Sequence, residues 1–237
     1  MDVGFSTGNS WPLNGALLIT FPAGFDLSSA NFDSSSGPSG TFFSTMTGPT
    51  TLTLGRTGGS TYPPGSVSIT LTGIRNPPET GATGTFSLTT TTLRGVPIDS
   101  GTAPGVTLSP GTLAGPSVTP NSLVAGSIGS VTVGFFTAES WPGDGMLHVD
   151  FPAGFDVSGA SFVDASGPNG TFGSSVSGQT VTVTRSGSTF AGSASIVLGG
   201  IQNPSTTGTT ASFTLTTTNG AGGTIDTGTA PGVTITP

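Results

Sequence analysis

The sequence predicts an all-β fold: two tandem Ig-like antiparallel β-sandwich modules, the first lacking its N-terminal strand. Three observations carry that expectation. Apolar residues alternate with Thr and Ser in short runs, the two-residue period of strands buried on one face. Gly, Pro, Asn and Asp separate the runs, as turns require. Long stretches of the first half also recur in the second. The chain of 237 residues holds 40 Gly and 19 Pro, a level at which disorder has to be weighed, but the regular spacing of the apolar residues argues for packed strands.

The repeat sets the organisation. FPAGFDLSSANF (21–32) answers FPAGFDVSGASF (151–162), GIRNPPETG (73–81) answers GIQNPSTTG (200–208), and IDSGTAPGVTLSP (98–110) answers IDTGTAPGVTITP (225–237). The copies run in parallel throughout and join near GTLAGP (111–116), giving modules 1–112 and 113–237. A period of this length suits a whole sandwich better than one coil of a solenoid.

Taken in order, the strands of the second module read SVTPNSL, SVTVGFFT, GMLHVDF, a short one around GTFGSS, QTVTVTR, SASIVLGG, ASFTLTTT and GVTITP. Alternation assigns their faces. Leu147, Val149 and Phe151 point one way, and Met146, His148 and Asp150 the other. The first module repeats this with Leu17, Ile19 and Phe21 against Ala16, Leu18 and Thr20. Leu52 and Leu54, then Val67, Ile69 and Leu71, then Phe86 and Leu88 form further apolar rows. One apolar and one polar face per strand means two antiparallel sheets packed together.

The first module begins differently. MDVGFSTGNSWP matches SVTVGFFTAESWP (130–142), the second strand of its partner, and nothing in the first module answers the lead-in PSVTPNSLVAGSIG (116–129). Val3 and Phe5 are thus expected on a strand with one bare edge, and a bare edge is a template for pairing. A preceding module of a longer array, a strand from a neighbouring chain or a shorter sheet would each account for it. Since GVTITP, where the second copy stops, answers the last strand GVTLSP of the first, no spare C-terminal tail is evident as a donor.

Through SVTPNSLVAGS, FPAGFD, the GI-x-NP turn and ID-x-GTAPGVT, the whole chain resembles the tandem Ig-like modules of prokaryotic secreted and surface proteins, such as adhesin stalks, surface-layer proteins and extracellular filaments. The resemblance implies an extracellular or cell-surface structural or binding role and names no ligand.

Composition excludes other classes. The net charge of −7, with four Arg and no Lys, leaves no basic patch for nucleic acid. GALLITF, the longest apolar run, is too short to span a bilayer, so no membrane insertion is expected in this segment. No Cys is present, so disulfides do not hold the fold.

Catalysis is not expected, because His148 is the only His and it falls on an outward strand face. No cofactor is expected beyond calcium, for which Glu139, Asp144 and Asp150 around the GDG hairpin are weak candidates. Asp26, Asp156, Asp99 and Asp226 read as turn-holding carboxylates. Trp11 and Trp141 each precede Pro and a Gly hairpin, where an aromatic either plugs the sandwich end or offers a platform to a sugar. Asn169 heads the one N-glycosylation sequon.

The reading that follows is a structural subunit or segment of a filament, adhesin stalk or surface coat. It would assemble head to tail with other copies of itself as a homopolymer or longer array, by stacking or by strand complementation at Val3 and Phe5. The alternative is a carbohydrate- or surface-binding module that meets a glycan or host surface.

Overall fold

The computed structural model describes all residues, 1–237. It is all-β, and no helix is long and apolar enough to cross a membrane. Two compact units emerge, Met1–Pro77 with Gly81–Leu108 and Ser109–Pro237 with Pro78–Thr80. The division falls a few residues ahead of the repeat boundary. Gly111 and Thr112, expected in the first module, pair instead with a strand of the second unit.

Unit 1 contains β1 (Asp2–Thr7), β2 (Ala16–Thr20), β3 (Asn31–Ser36), β4 (Thr41–Met46), β5 (Thr51–Thr57), β6 (Gly65–Thr72), β7 (Gly81–Ala82), β8 (Phe86–Thr91), β9 (Pro97–Ala103) and β10 (Thr107–Leu108). Unit 2 contains β11 (Gly111–Thr112), β12 (Ala114–Pro120), β13 (Ile128–Phe136), β14 (Met146–Asp150), β15 (Ser161–Ser166), β16 (Thr171–Ser177), β17 (Thr180–Ser186), β18 (Ser193–Gln202), β19 (Gly208–Thr209), β20 (Phe213–Thr218), β21 (Thr224–Ala230) and β22 (Thr234–Ile235).

In unit 2 the two main sheets run β12-β13-β18-β15 and β11-β21-β20-β14-β17-β16. In unit 1 they run β1-β6-β3 and β4-β5-β2-β8-β9. The strands correspond one to one, except that β11 and β12 have no counterpart in unit 1. The strands that escaped the sequence reading include β15 and its counterpart β3. Their residues, SFVDAS and NFDSSS, are mostly exposed, so no apolar row marks them. GVTITP supplies only the two residues of β22, while the outer strand of that sheet is β21.

The alternating rows fill the space between the sheets. Leu17, Ile19, Leu52, Leu54, Val67, Ile69 and Leu71 are buried in unit 1, as are Leu147, Val149, Val181, Val183, Ile196 and Leu198 in unit 2. Each such side chain contributes about 1.5–3 kcal/mol on leaving water. The FPAGF segments close one end of each core. Phe21, Phe25 and Phe86 meet with ring centroids 5.6 Å apart, and Phe151, Phe155 and Phe213 repeat the cluster at 5.4–5.6 Å. Edge and tilted contacts of this kind suit the quadrupoles of the rings.

Candidate functional site: the open edge of unit 1

Strand β1 pairs with β6 from Asp2↔Thr70 to Thr7↔Gly65 and has no partner on its other side. Met1 and Leu71 exchange both backbone bonds, each at 2.8 Å. Antiparallel pairs alternate between bonded and non-bonded, so the N–H groups of Val3, Phe5 and Thr7 turn toward β6. Those of Asp2, Gly4 and Ser6 therefore face outward with their carbonyls. The sequence pointed to Val3 and Phe5 as the edge. The structure divides the work: their side chains belong to the core, and the groups free to pair are on the residues between them.

Unit 2 shows the same edge filled. There β12 runs antiparallel to β13, with Thr119↔Thr132 and Ser117↔Gly134 in register, and Asn121 N–H donates to Ser130 O at 2.9 Å. Before it, β11 runs parallel to β21, and Leu113, buried, donates its N–H to Thr227 O at 2.9 Å. After it, the Asn203 amide donates to the carbonyls of Ser122 at 2.8 Å and Val124 at 3.0 Å.

Without those segments the matching residues of unit 1 stay partly uncovered. Val3 is 7% exposed and Leu88 8%, where Val133 and Leu215 are at 0%. Phe5, Asp99 and Ala103 are half-buried, and Asn76 is exposed, while Phe135, Asp226, Ala230 and Asn203 are buried. A groove of about 220 Å³ opens between β1 and β9 beside Phe5, Leu88, Asp99 and Gly101. A second, of about 490 Å³, opens at the other end by Leu71, Ile74, Asn76 and Phe86.

The carboxylates of the ID-x-GT strands register the difference. Asp226 accepts the Glu139 N–H at 3.3 Å on each oxygen. Burial pushes its carboxyl above the ordinary range, against the pull of the Glu139 and Ala138 N–H groups. Asp99 instead holds the Asn9 side chain, which donates to Oδ1 at 2.8 Å. Asp26 and Asp156 are local turn anchors, each accepting a backbone N–H two residues on at 2.9 Å. The Ser28 N–H and hydroxyl hold the Asp26 carboxyl below the ordinary value, and the Ser158 hydroxyl and N–H do the same for Asp156.

Trp11 and Trp141 are both 0% exposed, so neither indole offers a face to a sugar. Gly15 and Gly145 explain the hairpin motif, since a Cβ on either would strike the Trp ring. Beside each indole lies a buried Arg that sequence reasoning missed. The guanidinium of Arg56 stands 5.5 Å from the Trp11 ring and that of Arg185 4.8 Å from Trp141. Arg56 donates to the carbonyls of Ser39 at 2.8 Å, Trp11 at 3.1 Å and Pro12 at 3.2 Å. Arg185 donates to Trp141 and Pro142, each at 3.0 Å. The recurrence of Arg at matching places in LTLGR and VTVTR was the available signal.

Glu139, Asp144 and Asp150 are not brought together, and no group of three or more His, Cys, Asp or Glu could hold a metal ion. Asp144 lies in the hairpin, whereas Asp150 ends β14, about 13 Å along from the strand's first residue at ~3.3 Å per residue. Its carboxylate accepts Thr180 Oγ1. His148 Nδ1 shares a bond with Thr182 Oγ1 at 3.0 Å on the outer sheet face. Asn169 is exposed, but its Oδ1 accepts the N–H of Ser188 at 3.1 Å and its hydroxyl at 2.9 Å, a turn-locking role that Ser39 takes in unit 1.

No protein-family model matches the chain, and no curated protein matches it. Solved structures that are similar include the type II cohesin dyad of an adaptor scaffoldin from Acetivibrio cellulolyticus, 12% identical over 98% of this chain and 93% of that one, with a TM-score of 0.30. A non-cellulosomal cohesin from Archaeoglobus fulgidus is 17% identical over 50% of this chain and 91% of its own, TM-score 0.30. The collagen-binding domain of an Erysipelothrix rhusiopathiae surface protein is 13% identical over 100% and 84%, TM-score 0.29. The open edge of unit 1, and not these likenesses, carries the functional reading.

Proposed function

We propose that the chain is a structural segment of an extracellular filament, stalk or surface coat, non-catalytic, in which copies join end to end through the bare side of β1. The observation that carries this is the row of outward backbone groups on Asp2, Gly4 and Ser6 beside core residues left partly uncovered. A row of unpaired N–H and C=O groups next to apolar surface is stabilised by adding a strand. A contact between one end of a molecule and the other leaves a free end on each copy and propagates unless its rotation closes a ring.

Gly4→Pro is the direct test. Its N–H faces away from β6, so Pro removes an outward donor without costing a bond to the neighbour. End-to-end assembly predicts that the purified chain forms concentration-dependent oligomers by sedimentation and that Gly4→Pro abolishes them. Oligomers unaffected by the substitution would contradict it.

One observation favours the binding-module reading. Phe43, 51% exposed, lies over Gly55, where a Cβ would strike its ring. With Leu18 and Leu93 it borders a shallow groove of about 340 Å³ on the outer sheet face. An exposed ring of this kind can stack on a sugar. Glycan binding lost in Phe43→Ala would support that reading, and an empty glycan array would dismiss it.

A further inference from the structure

We infer that the open side of unit 1 is a sequence-selective receptor for one kind of strand, an extended segment of the Gly111–Ser127 pattern, GTLAGPSVTPNSLVAGS. The inference rests on the edge-assembly reading above and names the partner that edge takes.

The pattern is defined by how unit 2 holds its own copy. Gly111 must be Gly, because a Cβ there would strike Asp226 Oδ1. Leu113 enters the core, and a Cβ on Gly228 would come within 2.9 Å of its Cβ. Val118 and Pro120 are buried along β13. Finally, Asn203 clamps the carbonyls of Ser122 and Val124.

Each receiving element has its match in unit 1. Asp99 stands for Asp226, Gly101 for Gly228, Gly4 for Gly134 and Asn76 for Asn203. Where a Cβ on Gly228 would meet Leu113 and one on Gly134 would meet Ser117 Oγ at 2.7 Å, nothing lies within 4 Å of a Cβ on Gly101 or Gly4. The two grooves sit where the start and the end of the segment would lie, with β1 between them. A generic sticky edge would keep the backbone row, but not the glycine beneath a missing leucine nor the asparagine awaiting two carbonyls.

The experiment adds a synthetic peptide of residues 111–127 to the full chain and follows amide exchange at Asp2, Gly4 and Ser6. With nine-tenths of the chain bound, these amides slow about tenfold. A Leu113→Asp peptide gives no protection, and a Gly101→Val chain, whose new side chain occupies open space in the free protein, loses it while keeping exchange protection across its core. Equal protection by a scrambled peptide would overturn selectivity, and no protection by the native peptide would overturn the inference outright. Peptide protection in a chain that never oligomerises supports the receptor and sinks end-to-end assembly. Oligomers that form while the peptide fails to protect do the reverse.

Discussion

Gly111 and Asp226 are register partners in the parallel pairing of β11 with β21, and they touch so closely that a Cβ on residue 111 would strike the carboxylate. This contact seats the lead-in of unit 2, and its absence leaves Asp99 half-buried in unit 1. Gly111→Val should therefore displace β11 and uncover Leu113, costing unit 2 about 1–3 kcal/mol. Exchange of the buried amides of Val181 and Val183 reads that loss, while those of Leu52 and Leu54 in unit 1 should not change.

The burial of Asp226 has a pH signature. Its folded carboxyl lies above the ordinary 3.8, so the native state holds the proton more tightly than the unfolded chain does. That contribution is fully present below the unfolded pKa and is lost as pH rises through the folded one. Asp226→Asn should flatten this part of the stability profile of unit 2. An unchanged slope between wild type and variant in that window would show that the carboxyl is not titrating as its burial requires.

The buried Arg residues tie three segments of each unit through backbone carbonyls. Arg56→Ala would orphan the carbonyls of Ser39, Trp11 and Pro12, and each buried acceptor left unpaired costs about 1–3 kcal/mol. A loss of about 3–5 kcal/mol is expected for either Arg56→Ala or Arg185→Ala. Lys should not restore it, since an ammonium cannot span the same fork of carbonyls. Denaturant unfolding checks both substitutions.

Trp11→Ala and Trp141→Ala separate packing from ligand binding. Both side chains fill closed space, so each truncation should cost about 3–5 kcal/mol. Any glycan affinity of the chain should survive Trp141→Ala at temperatures where unit 2 stays folded.

Much of this was legible in the sequence. The alternation at Leu147, Val149 and Phe151 and the FPAGF repeat sufficed for the sandwich, because burial on one face imposes a period of two. The bare edge of β1 was visible as a repeat without its lead-in. The strands β3 and β15 were not visible, since their exposed side chains carry no apolar period. Nor was the Arg–Trp stacking, because a buried Arg satisfied by carbonyls has the same letter as a solvated one. The calcium candidates failed on distance along a strand, which spacing in sequence understates. That Asp2, Gly4 and Ser6 supply the pairing groups follows from the bonding of Met1 with Leu71, a register no sequence states.

Within this single chain the outward side of β1 is bare, whereas that of β13 is paired with β12. Residue-resolved hydrogen exchange on the dilute monomer measures this contrast. The amides of Asp2, Gly4 and Ser6 should exchange fast while Thr132, Gly134 and Val3 are protected; protection of Gly4 equal to that of Gly134 in the monomer would contradict the open edge.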